Sequence, residues 1–472
     1  MVRRTKIVCT LGPATWSPER IDSLIAAGMD VARINFSHGE IAQHEETIRN
    51  VRAAAKRAGK PIAILGDLQG PKIRVGNLPQ AVELKPGDRI VFAPEGQHTG
   101  NELPTTFHEL SQDVEPGDVV LLADGLMELI VEDVVAPRVV MRVIHGGTLT
   151  SHKGINLPGV RVSIPSLTEK DLRDLEFALE QDLDYVALSF VRAVEDVMDL
   201  VRRIPPGGPL VIVKVEKGMA LTNLAPILES ASAAMVARGD LGVELPFEKV
   251  PLAQKRMIQM ANIASRPVIT ATQMLESMIE NPRPTRAEAS DVANAIIDGT
   301  DALMLSAETA TGKFPVQAVQ SMVRIAIEIE GSHILESGPH YDMPIEREED
   351  GYTPTSRAIA GATVEAVRRL NAPLILTFTS SGSTARIVSS FRPPVPILAL
   401  TDSRRTYNRL ALVWGVIPIL STDDATFDEM MRFGKETAVQ RGLAKAGDRI
   451  VVTAGLPMHV AGTTNLLRVE VI

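Results

Sequence analysis

The sequence predicts an α/β protein built on a (β/α)8 barrel, with a small β-barrel lid domain inserted into it and an open α/β domain at the C-terminal end. Three observations predict this. Eight apolar runs end in polar residues and alternate with helix signals, a long stretch without helical periodicity follows the third run, and a second strand–helix alternation follows a change in composition. Parallel strands buried on both faces read as near-continuous apolar runs, and a barrel built from them carries its chemistry at their C-terminal ends.

Polar residues, mostly spaced two apart, close the eight runs. Since residues i and i+2 of a strand point to one face, we expect each pair to aim its side chains together, and the eight ends to converge on one site. In chain order the runs close on Thr10 and Gly12; Arg33, Asn35 and Ser37; Asp67; Ser189; Lys214 and Glu216; Arg238 and Asp240; Thr270 and Thr272; and Ser306 and Glu308.

Helix-capping signals stand between the runs. Ser17 can cap a helix that starts at the following proline. Thr168 with Asp171, and Thr285 with Glu288, form the spacing of a capping box, in which each side chain bonds to the other's backbone N–H. These signals place a helix after nearly every strand, as the barrel requires.

Domain boundaries follow from where the barrel pattern breaks. The barrel is predicted over residues 1–69 and 167–336, and the intervening 70–166 as the inserted lid. Within that insertion, Pro-Gly-Asp turns at 86–88 and 116–118 separate short Val- and Ile-rich segments, which is typical of a small all-β module. Because it leaves the barrel at a βα loop on the catalytic face, a lid is the role we expect for it.

A change in composition marks the end of the barrel. Prolines, glycines and a run of charged residues predict a linker over 337–354. The remaining residues, 355–472, alternate again between helical and apolar strand-like segments. We therefore predict a separate open α/β domain there.

Charge and cysteine content exclude several classes of protein. The 472 residues carry a net charge of −9, which argues against nucleic acid as the main partner because phosphate binding requires a basic surface. No apolar run approaches the ~18 residues of a membrane helix, and no signal peptide is evident. The single cysteine, Cys9, cannot form an internal disulfide, and its place in the first run favours burial over a reactive thiol. We expect a protein of the reducing cytoplasm, without a membrane partner.

Glu216 and Asp240 are the candidate metal ligands. They close neighbouring runs, and two carboxylates completed by substrate oxygens and water suit Mg²⁺, which rarely takes an all-protein cage. The alternative is that the two carboxylates only form salt bridges with Lys214 and Arg238. The interleaving of cations and anions at one rim favours the metal.

Four basic residues, Lys214, Arg33, Arg74 and Arg238, are expected to gather where an anion would sit. Phosphoryl transfer requires such fixed cations, because charge spreads over the equatorial oxygens of the group in transit. The alternative for any single arginine is a salt bridge at the rim. Thr272 offers a hydroxyl for proton transfer or, equally well, one that bonds to a backbone carbonyl. Ser306 and Glu308 would extend a proton relay.

Eight longer motifs resemble those of the pyruvate kinase family, in family order and from Thr5 to the C-terminal end. The motifs are Cys9–Ala14, Ala32–Gly39, Gly70–Arg74, Val213–Glu216, Met235–Gly242, Ala271–Met278, Asn281–Thr285 and Met304–Thr309. The resemblance implies the same three-domain fold, transfer of phosphate from phosphoenolpyruvate to ADP, dependence on Mg²⁺ with Mn²⁺ as an alternative, and a homotetramer.

The resemblance also implies roles for individual residues. Lys214 would stabilise the transferring phosphoryl group, Arg33 would contact it, and Glu216 and Asp240 would hold Mg²⁺. The remaining roles are binding of the substrate carboxylate, by Arg238, Gly239, Asp240 and Thr272, and contact with ADP or ATP, by Thr10, Pro13, Asn35, His38, Arg74 and Lys170.

Lys72 distinguishes this sequence within the family. Many members bind K⁺ through residues matching Asn35, Ser37 and Asp67, and those members carry a glutamate where this chain has Lys72. The segment resembles the K⁺-independent branch, since a lysine ammonium can supply the positive charge that K⁺ would otherwise bring. The alternative is that Lys72 points to solvent at the lid hinge. We predict activity without K⁺, with Lys72 among the catalytic residues.

In the C-terminal domain, one loop resembles the family's effector loop. It consists of Thr379, Ser380, Ser381, Gly382, Ser383 and Thr384. It follows a strand and begins a helix, as anion-binding loops do, and a phosphorylated effector is the expected ligand. The alternative is an ordinary strand–helix turn.

Two other functions are alternatives to the kinase. A Mg²⁺-dependent aldolase or decarboxylase acting on pyruvate or oxaloacetate would use the same rim and metal, but it needs neither a lid nor arginines on a nucleotide side. A non-catalytic sensor of phosphorylated metabolites could lose Lys214 or a metal carboxylate, and this sequence retains them.

Overall fold

The computed structural model describes residues 2–335, 353–421, 426–456 and 463–472. The predicted linker at 337–354 lies outside the described residues, apart from its last two positions.

Three strands and two helices begin the chain. They are β1 (Lys6–Thr10), α1 (Pro18–Ala27), β2 (Val31–Asn35), α2 (Ile41–Ala58) and β3 (Ala63–Asp67). The Ser17 side chain accepts a hydrogen bond from the backbone of Arg20 and caps α1, as predicted.

An all-β module follows β3. Its elements are β4 (Val82–Leu84), β5 (Arg89–Pro94), β6 (Leu103–Thr105), α3 (Leu110–Asp113), β7 (Val119–Leu122), β8 (Met127–Val135), β9 (Arg138–His145), β10 (Gly147–Leu149) and β11 (Ile155–Asn156). Six strands form a sheet in the order β11-β7-β8-β9-β5-β6, and β10 pairs with β4. Phe92 and Phe107 are buried in a hydrophobic cluster separate from that of the barrel.

The chain then returns to the strand–helix alternation. The strands are β12 (Tyr185–Leu188), β13 (Leu210–Val215), β14 (Ala233–Ala237), β15 (Val268–Ala271) and β16 (Ala302–Leu305). The helices are α4 (Glu169–Glu180), α5 (Val194–Arg203), α6 (Gly218–Thr222), α7 (Leu224–Ser230), α8 (Arg238–Glu244), α9 (Val250–Ile263), α10 (Arg286–Ile297), α11 (Ala307–Ala310) and α12 (Pro315–Glu330). Both predicted capping boxes are present, at the starts of α4 and α10.

Eight parallel strands close into a barrel, which confirms the predicted fold class. Their order is β1-β16-β15-β14-β13-β12-β3-β2, and β1 pairs with both β2 and β16. Alternate residues of each strand divide between two cores. Val8, Leu65 and Ile212 fill the barrel interior, whereas Ile7 and Val213 pack in the layer between the strands and the helices.

The last part of the chain is an open α/β domain, also as predicted. Its elements are α13 (Pro354–Leu370), β17 (Ile375–Phe378), α14 (Ser383–Ser390), β18 (Ile397–Thr401), α15 (Arg404–Arg409), β19 (Val416–Leu420), α16 (Phe427–Gln440), β20 (Arg449–Gly455) and β21 (Thr464–Val471). The sheet order is β19-β18-β17-β20-β21, and β21 is antiparallel to its neighbour. None of the helices in the described ranges combines the length and apolarity of a transmembrane segment.

Candidate active site

Lys214 is the centre of a cluster of buried charges at the C-terminal ends of the barrel strands. Its Nζ donates to Ser189 Oγ at 2.7 Å and lies 2.8 Å from Glu216 Oε1 and 3.3 Å from Asp67 Oδ1. Burial alone would lower the pKa of this ammonium, but Asp67 and Glu216 outweigh burial and raise it above its ordinary value. Lys214 is therefore a permanent cation, and its side chain remains 13% exposed at the mouth of the barrel.

Arg33 supplies a second cation beside Lys214. Its Nε donates to Asp67 Oδ2 at 2.7 Å, and its Nη1 donates to Thr10 Oγ1 at 2.8 Å. Burial would raise the pKa of Asp67, yet Lys214 and Arg33 hold it below its usual range. The buried Asp67 carboxylate thus lies between two cations, and its Oδ1, 3.3 Å from Lys214 Nζ, accepts no hydrogen bond.

Glu216 and Asp240 lie near each other, as predicted for metal ligands. The Phe190 backbone N–H donates to Glu216 Oε2 at 2.7 Å. Burial raises the pKa of Glu216 to about 7; Lys214 opposes this rise and Asp240 adds to it. In the described part of the chain, no group of three or more His, Cys, Asp or Glu side chains is arranged to hold a metal. Glu216 and Asp240 together carry more negative charge than Lys214 neutralises. Such a pair fits Mg²⁺, with the other ligands coming from substrate and water.

The predicted place of Arg238 in the anion site is wrong. Strand β14 ends at Ala237, so Arg238 begins helix α8 and the two-residue alternation of a strand no longer directs its side chain. Its Nη1 donates to Asp291 Oδ1 at 2.8 Å, and its Nη2 donates to the carbonyl oxygens of Thr272 and Gln273 at 2.7 and 3.1 Å. The guanidinium braces the loop after β15, and only the backbone of Arg238 remains a candidate for substrate binding.

Thr270 and Thr272 do not share a face, contrary to the prediction. Thr270 is fully buried, and its hydroxyl bonds to Thr300 Oγ1 at 2.9 Å in the layer outside the barrel. Thr272 follows the last strand residue and has a φ of 67°, a left-handed conformation that turns its side chain out of the strand alternation. Its hydroxyl accepts from the Gly239 N–H at 2.8 Å and donates to the Ala271 carbonyl at 2.6 Å.

The predicted proton relay through Ser306 and Glu308 is not supported by their contacts. Glu308 lies in helix α11 rather than at a strand end, and it is buried. Its carboxylate accepts from the backbone N–H groups of Leu275, at 3.1 Å, and Ser306, at 2.7 Å. Glu308 therefore joins the loops after β15 and β16, which is a structural role.

Lys72, Arg74 and Asp240 line one cleft of about 360 Å³ between the β module and the barrel rim. Burial lowers the pKa of Lys72, Arg74 and Lys214 lower it further, and Asp240 acts in the opposite direction. The pKa of His38 is lowered by burial and then by Lys72 and other neighbouring cations. Arg74, from the predicted nucleotide side, thus lines the same cleft as Asp240, a candidate metal ligand.

The other predicted nucleotide residues differ in how exposed their side chains are and in whether those side chains already bond to protein groups. Thr10 is 4% exposed, and its hydroxyl donates to the last carbonyl of β16 at 3.0 Å. Lys170 donates to Asp174 and to a carbonyl just after β2, both at 2.6 Å. Pro13 is exposed, and Asn35 is half-buried with its side-chain oxygen bonded to a backbone N–H at 3.1 Å. Thr10 and Lys170 would have to exchange protein partners to bind a ligand.

The loop Thr379–Thr384 joins β17 to α14, as predicted, and its hydrogen bonds are mostly local. Gly382 has a φ of 81°, and its N–H donates to Thr379 Oγ1 at 2.9 Å. Ser381 Oγ donates to Ser383 Oγ at 3.1 Å. The left-handed turn explains the glycine, since a side chain there would be strained.

Two residues that join the β module to the barrel were missed as functional residues. Asp171 is fully buried; its Oδ1 accepts from the Gly70 N–H at 3.0 Å and its Oδ2 from the Thr168 N–H at 2.9 Å, so one carboxylate holds both connecting segments. Arg192 Nη1 donates to the Val162 carbonyl at 2.7 Å. The capping-box pattern located Asp171, but its bond to a residue 101 positions away has no local signal.

Comparison with known proteins gives full-length matches. The family profile "Pyruvate kinase, barrel domain" matches residues 2–319, and "Pyruvate kinase, alpha/beta domain" matches residues 357–470. A pyruvate kinase of Geobacillus stearothermophilus is 46% identical across the whole chain and 81% of that relative. Pyruvate kinase 2 of Synechocystis is 47% identical, across the whole chain and 79% of its own length.

A solved structure agrees with these sequence matches. The crystal structure of a pyruvate kinase from Cryptosporidium parvum superimposes with a TM-score of 0.90 at 36% identity, covering 99% of this chain and 96% of that one. The barrel and the C-terminal domain, in this order, are thus shared with these relatives. The chain belongs to the pyruvate kinase family of phosphotransferases.

Proposed function

We propose that the charged rim transfers the phosphoryl group of phosphoenolpyruvate to ADP, giving pyruvate and ATP. The observation that supports this most is the pair of desolvated cations, Lys214 and Arg33, which share the carboxylate of Asp67, with Glu216 also beside Lys214. Charge spreads over the equatorial oxygens during phosphoryl transfer, and cations already fixed in place stabilise it without reorganising. Lys214 would stabilise the group in transit, and Arg33 would contact it.

Pyruvate kinases generally require Mg²⁺, and Glu216 and Asp240 are the residues that would hold it here. Bound there, the metal would neutralise charge on the carboxylate and enolate oxygens of the substrate. Mn²⁺ is an alternative occupant, because it also accepts oxygen ligands.

The substrate carboxylate is proposed to bind at the start of α8 and at Thr272. The Gly239 N–H and the Thr272 hydroxyl already bond to each other at 2.8 Å, so their polar atoms lie at one spot, beside Asp240. A bound carboxylate would take over the Gly239 N–H and receive the Thr272 hydroxyl. The backbone of Arg238 would complete this subsite.

The reaction in this site is an in-line displacement at phosphorus. An oxygen of the ADP β-phosphate forms the new P–O bond, the bond to the enol oxygen breaks, and its electron pair leaves as the enolate. The enolate carbon then takes a proton and pyruvate results. We propose that this proton arrives through Thr272 and a water molecule. Glu308 is a poorer candidate because its carboxylate already accepts hydrogen bonds from two backbone N–H groups.

ADP is proposed to enter from the cleft beneath the β module, which would act as a lid. Arg74 lines this cleft and would meet the phosphates of ADP, together with His38, which interacts electrostatically with Lys72 and Arg74. Pro13 and Asn35 would lie along the nucleotide, together with Thr10 and Lys170 after they exchange partners. Closing the lid over the rim would exclude water and so favour transfer to ADP over hydrolysis.

Lys72 is proposed to replace K⁺, which pyruvate kinases usually require. Three observations support this: Lys72 lines the cleft, it interacts electrostatically with Asp240 and Glu216, and it lies near Lys214. A fixed ammonium there would supply the charge that a monovalent cation brings beside the substrate phosphate. Lys72 would thus take part in catalysis without touching the leaving group.

The proposal extends to regulation and assembly. The loop Thr379–Thr384 would bind a phosphorylated effector through its hydroxyls and the N-terminus of α14. By family membership, the protein would be a homotetramer of the cytoplasm. Light scattering after size exclusion, with and without a sugar phosphate, tests the assembly directly.

Pyruvate release tests the proposed reaction. We expect pyruvate only when phosphoenolpyruvate, ADP and Mg²⁺ are all present, with one ATP formed per pyruvate, and we expect EDTA to abolish it. An aldolase or decarboxylase would instead release pyruvate from a substrate such as oxaloacetate without ADP. That outcome, with no ATP formed from phosphoenolpyruvate, would overturn the proposal.

A further inference from the structure

The loop that follows β12 contacts both chain segments that connect the β module to the barrel. Ser189 donates to the carbonyl of Leu68, on the segment that leaves the barrel, at 2.7 Å. Arg192 donates to the carbonyl of Val162, on the segment that returns to it, also at 2.7 Å. Phe190 stands between these two residues in the sequence, and the proposed reaction gives it no role.

Phe190 has a backbone conformation that is rare for an aromatic residue. Its φ is 55°, in the left-handed region, where a bulky side chain crowds the backbone. Such a conformation persists only where the surrounding contacts impose it, and it concentrates at functional sites. The contacts of the Phe190 backbone and of its ring therefore indicate which geometry the conformation serves.

The backbone of Phe190 contacts a candidate metal ligand. Its N–H donates to Glu216 Oε2 at 2.7 Å, and Glu216 Oε1 lies 2.8 Å from Lys214 Nζ. Both carboxylate oxygens are thereby held in place. Partners of this kind orient a metal ligand, and losing one typically lowers metal affinity by about 10-fold to 100-fold.

The ring of Phe190 packs against the segment that leads to the β module. Gly70 on that segment is buried with a φ of 67°, and a Cβ there would come within 2.8 Å of Phe190 Cδ2. Lys217 Nζ lies 5.9 Å from the ring centroid, within the range of a cation–π contact. Lys217 in turn pairs with Glu244, in the helix that carries Asp240. One residue thus touches the lid connection with its ring and a candidate metal ligand with its N–H.

We propose that Phe190 is a positioning residue that couples the lid to the metal site. A shift of Gly70 as the lid opens or closes would move the ring packed against it, and the N–H of the same residue would carry that movement to Glu216. The carboxylate would keep its metal-binding geometry only while the lid connection is packed on the ring. This inference rests on the proposed function, because it takes Glu216 as a metal ligand.

Mn²⁺ binding to the full-length protein measures the metal site without turnover, through the loss of the electron paramagnetic resonance signal of free Mn²⁺. Phe190→Ala keeps the N–H but removes the ring, and it should weaken Mn²⁺ binding about tenfold. Phe190→Tyr keeps the ring and should bind Mn²⁺ as the wild type does. The matched control is Phe427→Ala, which removes a half-buried ring that packs edge-on against Phe378 in the C-terminal domain; it should leave the affinity unchanged.

Gly70→Ala tests the coupling to the lid, because its added methyl group would collide with the Phe190 ring. On its own this substitution should weaken Mn²⁺ binding, and in a Phe190→Ala background it should weaken binding much less. The left-handed φ of Gly70 strains an alanine in both backgrounds, so the difference between them isolates the ring contact. If Phe190→Ala does not fold, Phe190→Leu gives the same comparison with most of the volume retained.

Two results would overturn the coupling: wild-type Mn²⁺ affinity in Phe190→Ala, or additive effects of the substitutions at Phe190 and Gly70. Glu216→Gln separates such a failure from a failure of the proposed metal site. It should nearly abolish Mn²⁺ binding. If Glu216→Gln instead binds Mn²⁺ as tightly as the wild type, Glu216 is not a metal ligand, and the metal assignment falls together with this inference.

Discussion

The two ends of the barrel use the same kind of ion pair for different purposes. At the N-terminal ends of the strands, Asp301 accepts from Arg392 and from the Trp414 N–H, so its charge ties the C-terminal domain to the barrel. At the C-terminal ends, Asp67 holds Lys214 and Arg33, whose side chains remain 13% and 11% exposed. An ion pair becomes chemically useful when part of its cation still faces a space that substrate can enter.

Removing Lys214 should have the largest effect. Lys214→Gln deletes the cation that would neutralise the group in transit, so kcat should fall by about 10³-fold, as for loss of one preorganised donor. The fold should survive, because Asp67 keeps Arg33 and Glu216 can take up a proton. Steady-state kinetics and a denaturant titration measure both properties.

The matched control for that variant is Lys313→Gln. Lys313 is exposed and pairs only with Glu280 at the surface among the described residues. Its kcat should match that of the wild type. A loss of less than tenfold in Lys214→Gln would mean that the rim does not work as proposed.

The second prediction concerns the other end of the barrel. Asp301→Asn leaves Arg392 without its buried counter-charge, so the free energy of unfolding should fall by about 3 kcal/mol. Because Asp301 is far from the cleft, kcat should change much less than in Lys214→Gln. Unchanged stability together with a large loss of kcat would contradict the distinction between the two ends.

Asp184 gives a third prediction, in the pH dependence of stability. Burial raises its pKa to about 7, above its unfolded value of about 3.9. Between these two pH values the native state binds a proton that the unfolded chain has lost, so stability from this residue falls as pH rises from about 4 to about 7.

Asp184→Asn should remove this slope, since the amide can still accept from the Ile64 N–H that Asp184 binds at 2.8 Å. The measurement is the free energy of unfolding at pH 5 and at pH 8 in both proteins. The wild type should lose stability relative to the variant at the higher pH. An equal difference at both pH values would refute the assignment.

The smallest effect is expected from Ser189→Ala. Ser189 accepts from Lys214 Nζ and donates to the Leu68 carbonyl, both at 2.7 Å, and so orients the cation without touching substrate. Losing one such bond should lower kcat by roughly fivefold to tenfold, or about 1 kcal/mol. Ser321→Ala, a buried serine in α12 away from the rim, is the control. A Ser189→Ala kcat equal to that of the control would mean that Lys214 needs no such support.

The two-residue alternation predicted side-chain directions correctly for residues inside a strand, and it failed beyond the strand's last residue. Lys214 and Arg33 occupy strand positions with the parity of the interior residues Ile212 and Val31, so the two-residue alternation located them correctly. Arg238 was misplaced because β14 ends one residue earlier, and its orientation depends on Asp291 in a distant helix.

Two other features were beyond sequence reasoning for the same physical reason. Thr272 adopts a left-handed turn that no local sequence signal marks. The hydrogen bond from the Gly70 N–H to Asp171 forms only when the two ends of the inserted module come together. Local patterns predict elements and caps, whereas contacts between distant segments determine which side chains meet.

Dependence on K⁺ tests most directly whether this rim carries a complete set of charges. Pyruvate formation would be measured with phosphoenolpyruvate, ADP and Mg²⁺ in tetramethylammonium buffer, with K⁺ then added. Wild-type turnover should be nearly unchanged by K⁺, and Lys72→Glu should become dependent on it. Lys153→Glu, which makes the same charge change in the same cleft, should not acquire that dependence. Wild-type turnover that appears only after K⁺ is added would contradict the role of Lys72.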